Sequence, residues 1–537
     1  MSTSSPIEAA RASSIEAAPG THWLGGWAWP VGVFALALLP RLFDLGSRPL
    51  WLDEVFTLNR ASLKPGALVL DSFQNHHMPS FFLMLSPFTH LGHPEFWLRL
   101  PSALFGAAAV MLVFMIAARV AGRLAGAVAA LILGFSPTVL AFAQEARSYT
   151  MEMTLILVGL YGVTRLALDL QAAGQNLRQA KNLRQAKTGW LCFVLGTAAA
   201  LDVLGDGLPW LIAANLIFLC LLPFAPARAG FARNILLADL AVLLLTAPFY
   251  ALMLHFQTET VTNSLGWIPP LNAARLWYNL GAVYLMHVAD WVSFRFLDHH
   301  AVPGLIWLID ALLLLALGAA AWSLRRRPVM LITLGVAFLF LPCLFLLISL
   351  WHPVLLPRYL LWSSAPFAVL AGIGAAALLR NQPLRTTRLA VLAAAILLAA
   401  NLLPYYHNET KPRWDLAARL LAGDVDPGDV VYLSDTGALP ILRVYLPASA
   451  QATVLNDSDG DLSHAKQALS QGKRVWVVYG HAGQNISTSH EFYAGVQALG
   501  MPSQVQAAGK RITITLYDPT QHLASCTELG REKGICS

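Results

Sequence analysis

Two adjacent carboxylates, Asp53 and Glu54, follow the first long apolar run of the chain. A carboxylate in such a place can take the proton of a hydroxyl or amine while that group attacks a second substrate. Two neighbouring carboxylates also raise each other's proton affinity, which would help one of them to act as a base. The pair is therefore a candidate acid–base site where a membrane meets water.

Two arginines offer a complementary chemistry. Arg147 follows Glu145 by two residues, and Arg358 stands between a proline and Tyr359. A planar guanidinium can bind the oxygens of an anionic group in pairs, which is the chemistry that either arginine could offer. The alternative for each arginine is anchoring at the membrane surface through its long side chain. Both interpretations stay open on the sequence.

These residues belong to a chain whose composition is typical of a membrane protein. Of its 537 residues, 56% are hydrophobic and only 12% are charged, whereas soluble proteins carry roughly 25% charge. The net charge of +6 comes with no basic face interleaved with aromatic residues, so we expect no nucleic-acid partner. Apolar runs near the length that crosses a bilayer recur through the first three quarters of the chain. We predict eleven spans, near residues 23–43, 96–118, 124–142, 149–168, 189–204, 208–223, 234–254, 302–323, 329–350, 359–379 and 388–404.

Lysine and arginine in the short loops predict the orientation of these spans. Residues 1–22 are then a disordered cytoplasmic tail, and the later inside loops are basic, as in Arg325–Arg327. The segments 44–95 and 255–301 become external loops, although the first of them also carries basic residues. All the candidate residues named above would lie on the external face.

The composition changes from about residue 405. Three segments have the pattern of strands and three have the pattern of helices: 429–433, 475–479 and 512–516, and 413–422, 462–471 and 489–499. This alternation predicts a small α/β domain over residues 405–537 on the external face. Cys526 and Cys536 could close a disulfide there in an oxidising compartment, and would be free thiols in the cytosol.

Several short segments, taken in order, resemble the family 39-like membrane glycosyltransferases of the GT-C fold. That class includes the protein O-mannosyltransferases and the bacterial lipid A aminoarabinose transferases. The resemblance covers about residues 40–165 and, in patches, 350–435, and Met78 departs from it where the family usually has proline. The segments that carry it are Asp44–Ser62, His77–Phe82, Glu95–Gly106, Gln144–Tyr149, Pro357–Tyr359, Lys411–Asp415 and Pro427–Val431.

The resemblance implies a polytopic helical catalytic domain over residues 23–404, in the inner membrane of a bacterium. It implies inverting transfer of a sugar from a polyprenyl-phosphate-linked donor to a lipid, glycan or protein acceptor on the external face. Asp53 matches the catalytic acidic position of the family, so we expect Asp53 to be the base. Glu54 would orient the acceptor or support Asp53.

The same resemblance suggests roles for the remaining candidates. Glu145 matches a second acidic position, as a second acid, a metal ligand or a salt-bridge partner that fixes its loop. The donor phosphate gains charge as it leaves, and we expect Arg358, Tyr359, Arg147 and His77 to contact the donor. No histidine has the spacing of a metal-binding motif, so no cofactor is assigned and a divalent metal stays open. Its candidate ligands would be Asp53, Glu145 and His77.

A transporter or flippase of lipid-linked sugars is the alternative function. Such a protein places ionisable groups near the middle of the bilayer, often between two repeated halves. Apolar runs of this chain contain such groups, and Asp310 is the most notable of them. The sequence shows no repeated halves, so we favour the transferase.

Overall fold

The computed structural model describes residues 23–175, 183–205, 207–256, 268, 270–288, 303–455, 462–480, 490–533 and 535–536. The predicted tail, residues 1–22, and parts of the second predicted external loop lie outside the described residues. The first part of the chain is helical. Its helices are α1 Trp23–Leu42, α2 Leu52–Ala61, α3 Pro65–Gln74, α4 Ser80–Leu85, α5 Pro94–Trp97, α6 Leu100–Ala121, α7 Arg123–Gly134, α8 Pro137–Ala143, α9 Tyr149–Gln175, α10 Leu183–Leu201, α11 Gly207–Leu221, α12 Arg228–Phe256, α13 Ala273–Tyr284, α14 Pro303–Leu324, α15 Pro328–Ile348, α16 Ser364–Leu379, α17 Leu384–Ala400 and α18 Leu403–His407.

The apolar helices agree with the predicted spans. Within the described ranges, eight helical segments are long and apolar enough to cross a bilayer, and α7 with α8 forms a ninth that is bent by 67°. The first and fifth predicted spans correspond to shorter apolar helices, Trp27–Leu42 and Ala186–Leu201. Each of the eleven predicted runs therefore has its helix or helix pair, and the chain is a multi-pass membrane protein.

The segment between the first two spans, residues 44–95, folds into four short helices, α2 to α5, rather than an irregular loop. Helix α2 buries Leu52 and Val55, and α4 buries Phe81 and Leu85. Helices α2, α3 and α5 are too short for composition to separate them from a loop, whereas α4 lies in the short apolar run 78–92, whose composition predicts an interfacial or re-entrant helix. Their buried apolar residues hold the first turn of α2, and with it the carboxylate pair, in one position.

The spans have two chemically different ends. At one of them, Arg327 donates hydrogen bonds to the carbonyl oxygen of Val120 at 2.8 Å and to Gln171 at 3.3 Å. We call this the basic end. At the other, α1 and α8 finish while α6 and α9 begin, and the side chain of Gln144 donates to the carbonyl oxygen of Phe43 at 2.7 Å. We call this the site end.

The last part of the chain is the predicted α/β domain. Its elements are α19 Trp414–Asp424, β1 Val430–Leu433, α20 Ala438–Tyr445, α21 Ala448–Leu455, α22 Ala465–Ser470, β2 Val475–Tyr479, α23 His490–Gln497, β3 Gln504–Ala508, β4 Ile512–Tyr517 and α24 Glu528–Glu532. The sheet order is β1-β2-β4-β3, with β1 parallel to β2 and the other pairs antiparallel. The three predicted strands are confirmed, whereas β3, α20, α21 and α24 had no prediction. Cys526 and Cys536 form a disulfide.

The α/β domain packs on the helices of the site end. One buried apolar cluster combines Leu52 and Phe81 of the 44–95 segment with Trp414 and Ile441 of the domain. The hydroxyl of Tyr445 donates to Glu95 Oε1 at 2.9 Å and accepts from the backbone N–H of Leu50 at 2.7 Å. Burial of apolar area and these hydrogen bonds therefore hold the domain directly against the segment that carries the carboxylate pair.

Candidate active site

The two carboxylates stand in the first turn of α2, where unpaired backbone N–H groups favour negative charge. Glu54 Oε2 accepts from the backbone N–H of Trp51 at 3.3 Å, which helps to start the helix. Neighbouring residues on a helix point about 100° apart. The pair is accordingly divided, because Glu54 points into the protein while Asp53 is partly exposed.

Glu54 lies at the centre of a buried ionic network. Its carboxylate accepts two hydrogen bonds from Arg99, at 2.7 and 2.8 Å, and one from Lys411 Nζ at 2.7 Å. It also accepts from the backbone N–H of Ala146 at 2.9 Å. Burial would raise its pKa, but the charges and hydrogen bonds of Arg99 and Lys411 outweigh burial and lower the pKa to about 2. The expectation that Asp53 and Glu54 raise each other's proton affinity is therefore wrong for Glu54.

Arg99 holds the chain around the carboxylates as well. Besides Glu54, its guanidinium donates to the carbonyl oxygens of Leu45 at 3.1 Å, Arg48 at 2.8 Å and Pro49 at 2.9 Å. All five N–H groups of a guanidinium lie in one plane, so a single buried arginine can fix a whole turn of backbone. The sequence resemblance included Arg99 within a matching segment but gave it no role.

Asp53 is the carboxylate of the pair that a substrate can reach. Its side chain is 27% exposed, against 0% for Glu54, and its Oδ2 lies 3.9 Å from Arg147 Nη2. The charge of Asp53 also acts on Arg358 and on Tyr149. The structure thus places Asp53 beside Arg147 and within electrostatic reach of Arg358, the two arginines that the sequence singled out for phosphate binding.

The two arginines stand among tyrosines at the site end. Arg147 lies 5.8 Å from the ring centre of Tyr149, and Arg358 lies 5.1 Å from that of Tyr359. Arg358 Nη2 is 3.4 Å from the Tyr359 hydroxyl, to which it donates. Both guanidinium groups are largely buried, which strengthens their attraction for an incoming anion relative to the same groups in water.

Glu145 faces the same buried network from the turn between α8 and α9. Its Oε1 lies 3.7 Å from Lys411 Nζ, and its Oε2 is buried without a hydrogen-bond partner among the described residues. Burial raises the pKa of the Glu145 carboxyl, Lys411 opposes that change, and Glu54 and Asp53 add to it. Its observed ionic partner is Lys411, whereas the sequence alternative was a salt bridge to Arg147.

His77 lies in the turn between α3 and α4, with its ring centre 5.9 Å from that of Phe82. Burial lowers its pKa to about 3, and the positive charges of Arg60 and Arg147 contribute to this change. The imidazole is therefore neutral at physiological pH and can contact a donor only as a hydrogen-bonding or packing group. It adds no positive charge to the site.

The metal expectation finds no support in this geometry. Across the described ranges, no group of three or more histidine, cysteine, aspartate or glutamate side chains could hold a metal ion. Asp53, Glu145 and His77 do not converge in that way. We assign no step to a metal for this reason.

Three polar residues that the sequence did not single out brace the site. Gln144 accepts from the hydroxyl of Tyr405 at 2.7 Å and donates to the carbonyl oxygen of Arg41 at 3.0 Å. Arg48 donates to the carbonyl oxygen of Tyr405 at 2.8 Å and stacks 4.2 Å from its ring centre. These bonds tie the last span to the first, and no local pattern signals a contact over such a sequence separation.

Asp310, the candidate for a transport role, is engaged elsewhere. Its Oδ2 lies 2.8 Å from Nε2 of His287, at the end of α13. A buried carboxylate with such a partner fits a structural hydrogen bond between α13 and α14. The described contacts of Asp310 do not connect it to Asp53.

Comparisons with known proteins bear on the fold. No family model and no curated protein matches the chain. ArnT from Cupriavidus metallidurans in the apo state matches 93% of this chain and 100% of its own, with a TM-score of 0.53 and 15% identity. The same protein bound to undecaprenyl phosphate matches 93% of this chain and 99% of its own, again with a TM-score of 0.53 and 15% identity.

An oligosaccharyltransferase from Archaeoglobus fulgidus, in the apo form, is also similar. It matches 88% of this chain and 71% of its own, with a TM-score of 0.48 and 13% identity. The chain has the GT-C fold with a small C-terminal sheet domain, and the predicted fold class is confirmed.

Proposed function

We propose that this chain is a membrane glycosyltransferase that moves a sugar from a polyprenyl-phosphate-linked donor to a lipid, glycan or protein acceptor. One observation carries the proposal: the partly exposed carboxylate of Asp53 lies beside Arg147 and within the field of Arg358 at the site end. A base next to two phosphate-binding cations suits this transfer. The fold supports the proposal, since the similar ArnT structure was solved with undecaprenyl phosphate.

The proposed reaction is a single displacement. The acceptor oxygen or nitrogen attacks the anomeric carbon and gives its proton to Asp53, while the bond from that carbon to the phosphate oxygen breaks. The electron pair leaves with the lipid phosphate, whose growing negative charge Arg358 and Arg147 stabilise. Attack opposite the leaving group inverts the anomeric carbon. The sugar must then enter between Asp53 and the bound phosphate, replacing the 3.9 Å contact of Asp53 with Arg147.

The other candidates have supporting roles in this proposal. Glu54 has no exposed surface, so it positions Asp53 and does not touch the acceptor. Glu145 supports the site from within the protein and does not contact the substrates, since only 5% of its surface is exposed. Tyr359 and neutral His77 line the donor side as packing and hydrogen-bonding groups.

The proposed setting is the inner membrane of a bacterium, with the N-terminus in the cytoplasm and the C-terminal domain outside. The short loops at the basic end support this orientation, because they carry Arg119, Arg123 and Arg325–Arg327 and cytoplasmic loops are rich in lysine and arginine. The Cys526–Cys536 disulfide supports an external domain, because disulfides persist in oxidising compartments.

The test is a transfer assay in proteoliposomes that contain the purified full-length chain. A polyprenyl-phosphate donor with a labelled sugar is supplied with cell-envelope lipid or glycan acceptors, and covalent product is separated from donor. We expect acceptor-dependent product that Asp53→Asn abolishes. Movement of the labelled lipid across the bilayer without any covalent product would instead indicate the flippase.

A further inference from the structure

Lys411 reaches the site from outside the membrane spans. It belongs to the short segment between α18 and α19, where the last span gives way to the α/β domain. Its side chain is buried, and its ammonium lies 2.7 Å from Glu54 Oε2 and 3.7 Å from Glu145 Oε1. The ring centre of Trp51, directly before α2, is 5.8 Å away. One cation from the domain junction thus contacts both acidic segments of the site.

The charges in this cluster balance only when Lys411 is present. Two carboxylates, Glu54 and Glu145, meet two cations, Arg99 and Lys411, and all four side chains are buried. A buried charge without a partner is strongly unfavourable, so a balanced cluster holds its members together. Arg99 already donates two hydrogen bonds to Glu54. The charge of Glu145 is therefore compensated by Lys411, whose ammonium lies 3.7 Å from its Oε1.

We propose that Lys411 is a positioning residue through which the docked α/β domain sets the geometry of Asp53 and Arg147. Two short paths carry the effect. Glu54, held by Lys411, is the chain neighbour of Asp53 in the first turn of α2. Ala146, whose N–H donates to Glu54, is the chain neighbour of Arg147. The catalytic consequence rests on the function proposed above.

Docking of the domain by itself does not explain this contact. Tyr445 holds the domain through hydrogen bonds to Glu95 and to the backbone of Leu50, and not through the carboxylates of Glu54 or Glu145. A variant at Tyr445 therefore weakens docking and leaves the hydrogen bonds to Glu54 in place. A variant at Lys411 alters the cluster and leaves that docking contact intact.

The first arm of the test is kinetic and uses the full-length chain in proteoliposomes. Lys411→Met removes the charge and keeps the apolar stem, Lys411→Arg keeps the charge, and Lys466→Met removes an exposed lysine of the same domain. We expect Lys411→Met to lower kcat by about tenfold or more with donor KM within about twofold, because a misplaced base slows chemistry without removing a donor contact. We expect Lys411→Arg to restore most of the rate and Lys466→Met to leave it unchanged.

The second arm does not depend on activity. Amide hydrogen exchange is followed by mass spectrometry in peptides that contain the N–H groups of Trp51 and Ala146, both of which donate to Glu54. We expect Lys411→Met to accelerate exchange in both peptides. We expect Tyr445→Phe to leave the Ala146 peptide nearly unchanged, whereas it exposes the Leu50 N–H beside Trp51 directly. Lys411→Met combined with Glu145→Gln removes one positive and one negative charge together. If the single variant does not fold, hydrogen exchange is measured in this double variant instead.

The outcomes separate the two proposals. If the wild-type chain transfers no sugar, the proposed function fails, and the exchange arm still decides whether Lys411 holds the two segments. Unchanged exchange in the Trp51 and Ala146 peptides of folded Lys411→Met would overturn the role of Lys411. So would a rate loss that Lys411→Arg does not recover, or faster exchange spread evenly over the whole α/β domain.

Discussion

The guanidinium of Arg99 holds the carboxylate of Glu54 through two hydrogen bonds, Nε to Oε1 at 2.7 Å and Nη2 to Oε2 at 2.8 Å. Exposure of the two side chains is 1% and 0%. A carboxylate so engaged cannot move to meet a substrate. This pairing therefore distinguishes the two acids, because Glu54 is held in place while the side chain of Asp53 stays partly exposed.

Asp53→Asn should remove transfer activity and keep the fold. The amide has nearly the same shape but cannot accept a proton, and general-base catalysis contributes roughly 10²–10⁴-fold to rate. We expect kcat/KM to fall within that range in the proteoliposome assay. Asp44→Asn is the matched control, because Asp44 is an exposed acid of the same segment with φ of 61°, a conformation that asparagine tolerates. Full activity in folded Asp53→Asn would disprove the base assignment.

Glu54→Gln should act on stability before chemistry. Replacing one partner of a buried ion pair costs roughly 3 kcal/mol, so we expect a clear fall in the free energy of unfolding. The pKa of Glu54 lies at about 2 in the folded protein and near 4.5 when unfolded. Its contribution is therefore complete above about pH 4.5 and disappears as the pH falls towards 2.

Thermal unfolding of the detergent-solubilised protein between pH 7 and pH 3 measures this effect. The difference in stability between wild type and Glu54→Gln should shrink as the pH decreases. Glu528→Gln is the control, since Glu528 also stands in the first turn of a helix but is exposed. A stability difference that stays constant with pH would show that the ionised form of Glu54 is not what stabilises the fold.

Arg358→Ala should weaken use of the donor. In the proposed reaction the guanidinium of Arg358 binds the leaving phosphate. A hydrogen bond to a charged group contributes about 1.5–3 kcal/mol. We expect kcat/KM for the donor to fall by roughly tenfold to a hundredfold, and Arg358→Lys to recover only part of it because lysine lacks the planar fork. Arg380→Ala is the control, as Arg380 is exposed at the opposite end of the same span. An unaltered dependence on donor concentration would exclude Arg358 from phosphate binding.

The orientation of the chain is open to direct labelling. Ser62 is exposed in the 44–95 segment, and Arg326 is exposed at the basic end. In intact spheroplasts, a thiol reagent that does not cross membranes should modify Ser62→Cys and leave Arg326→Cys unmodified until the membrane is opened. The wild-type chain reports the background from its own thiols. The reverse pattern would place the candidate site in the cytoplasm.

Much of the architecture follows from local sequence. A run of apolar residues near the thickness of a bilayer has few alternatives to a spanning helix, and all eleven predicted runs correspond to helices or a bent pair. Strands β1, β2 and β4 follow from short runs of β-branched and aromatic residues. Helices α2 and α3 did not emerge in this way, because they are short and mixed in composition and bury Leu52, Val55 and Leu68 in a cluster shared with the distant α/β domain.

The sequence by itself singled out the candidate residues for chemistry: the Asp53–Glu54 pair, Glu145 and the two arginines. Only the tertiary structure decided which of these side chains are buried in ion pairs and which are partly exposed. Glu54 meets Arg99 across 45 residues and Lys411 across 357, and these contacts turn it into a fixed support. The physical reason is that burial and ionic pairing depend on what packs around a side chain, which residue type and spacing do not record.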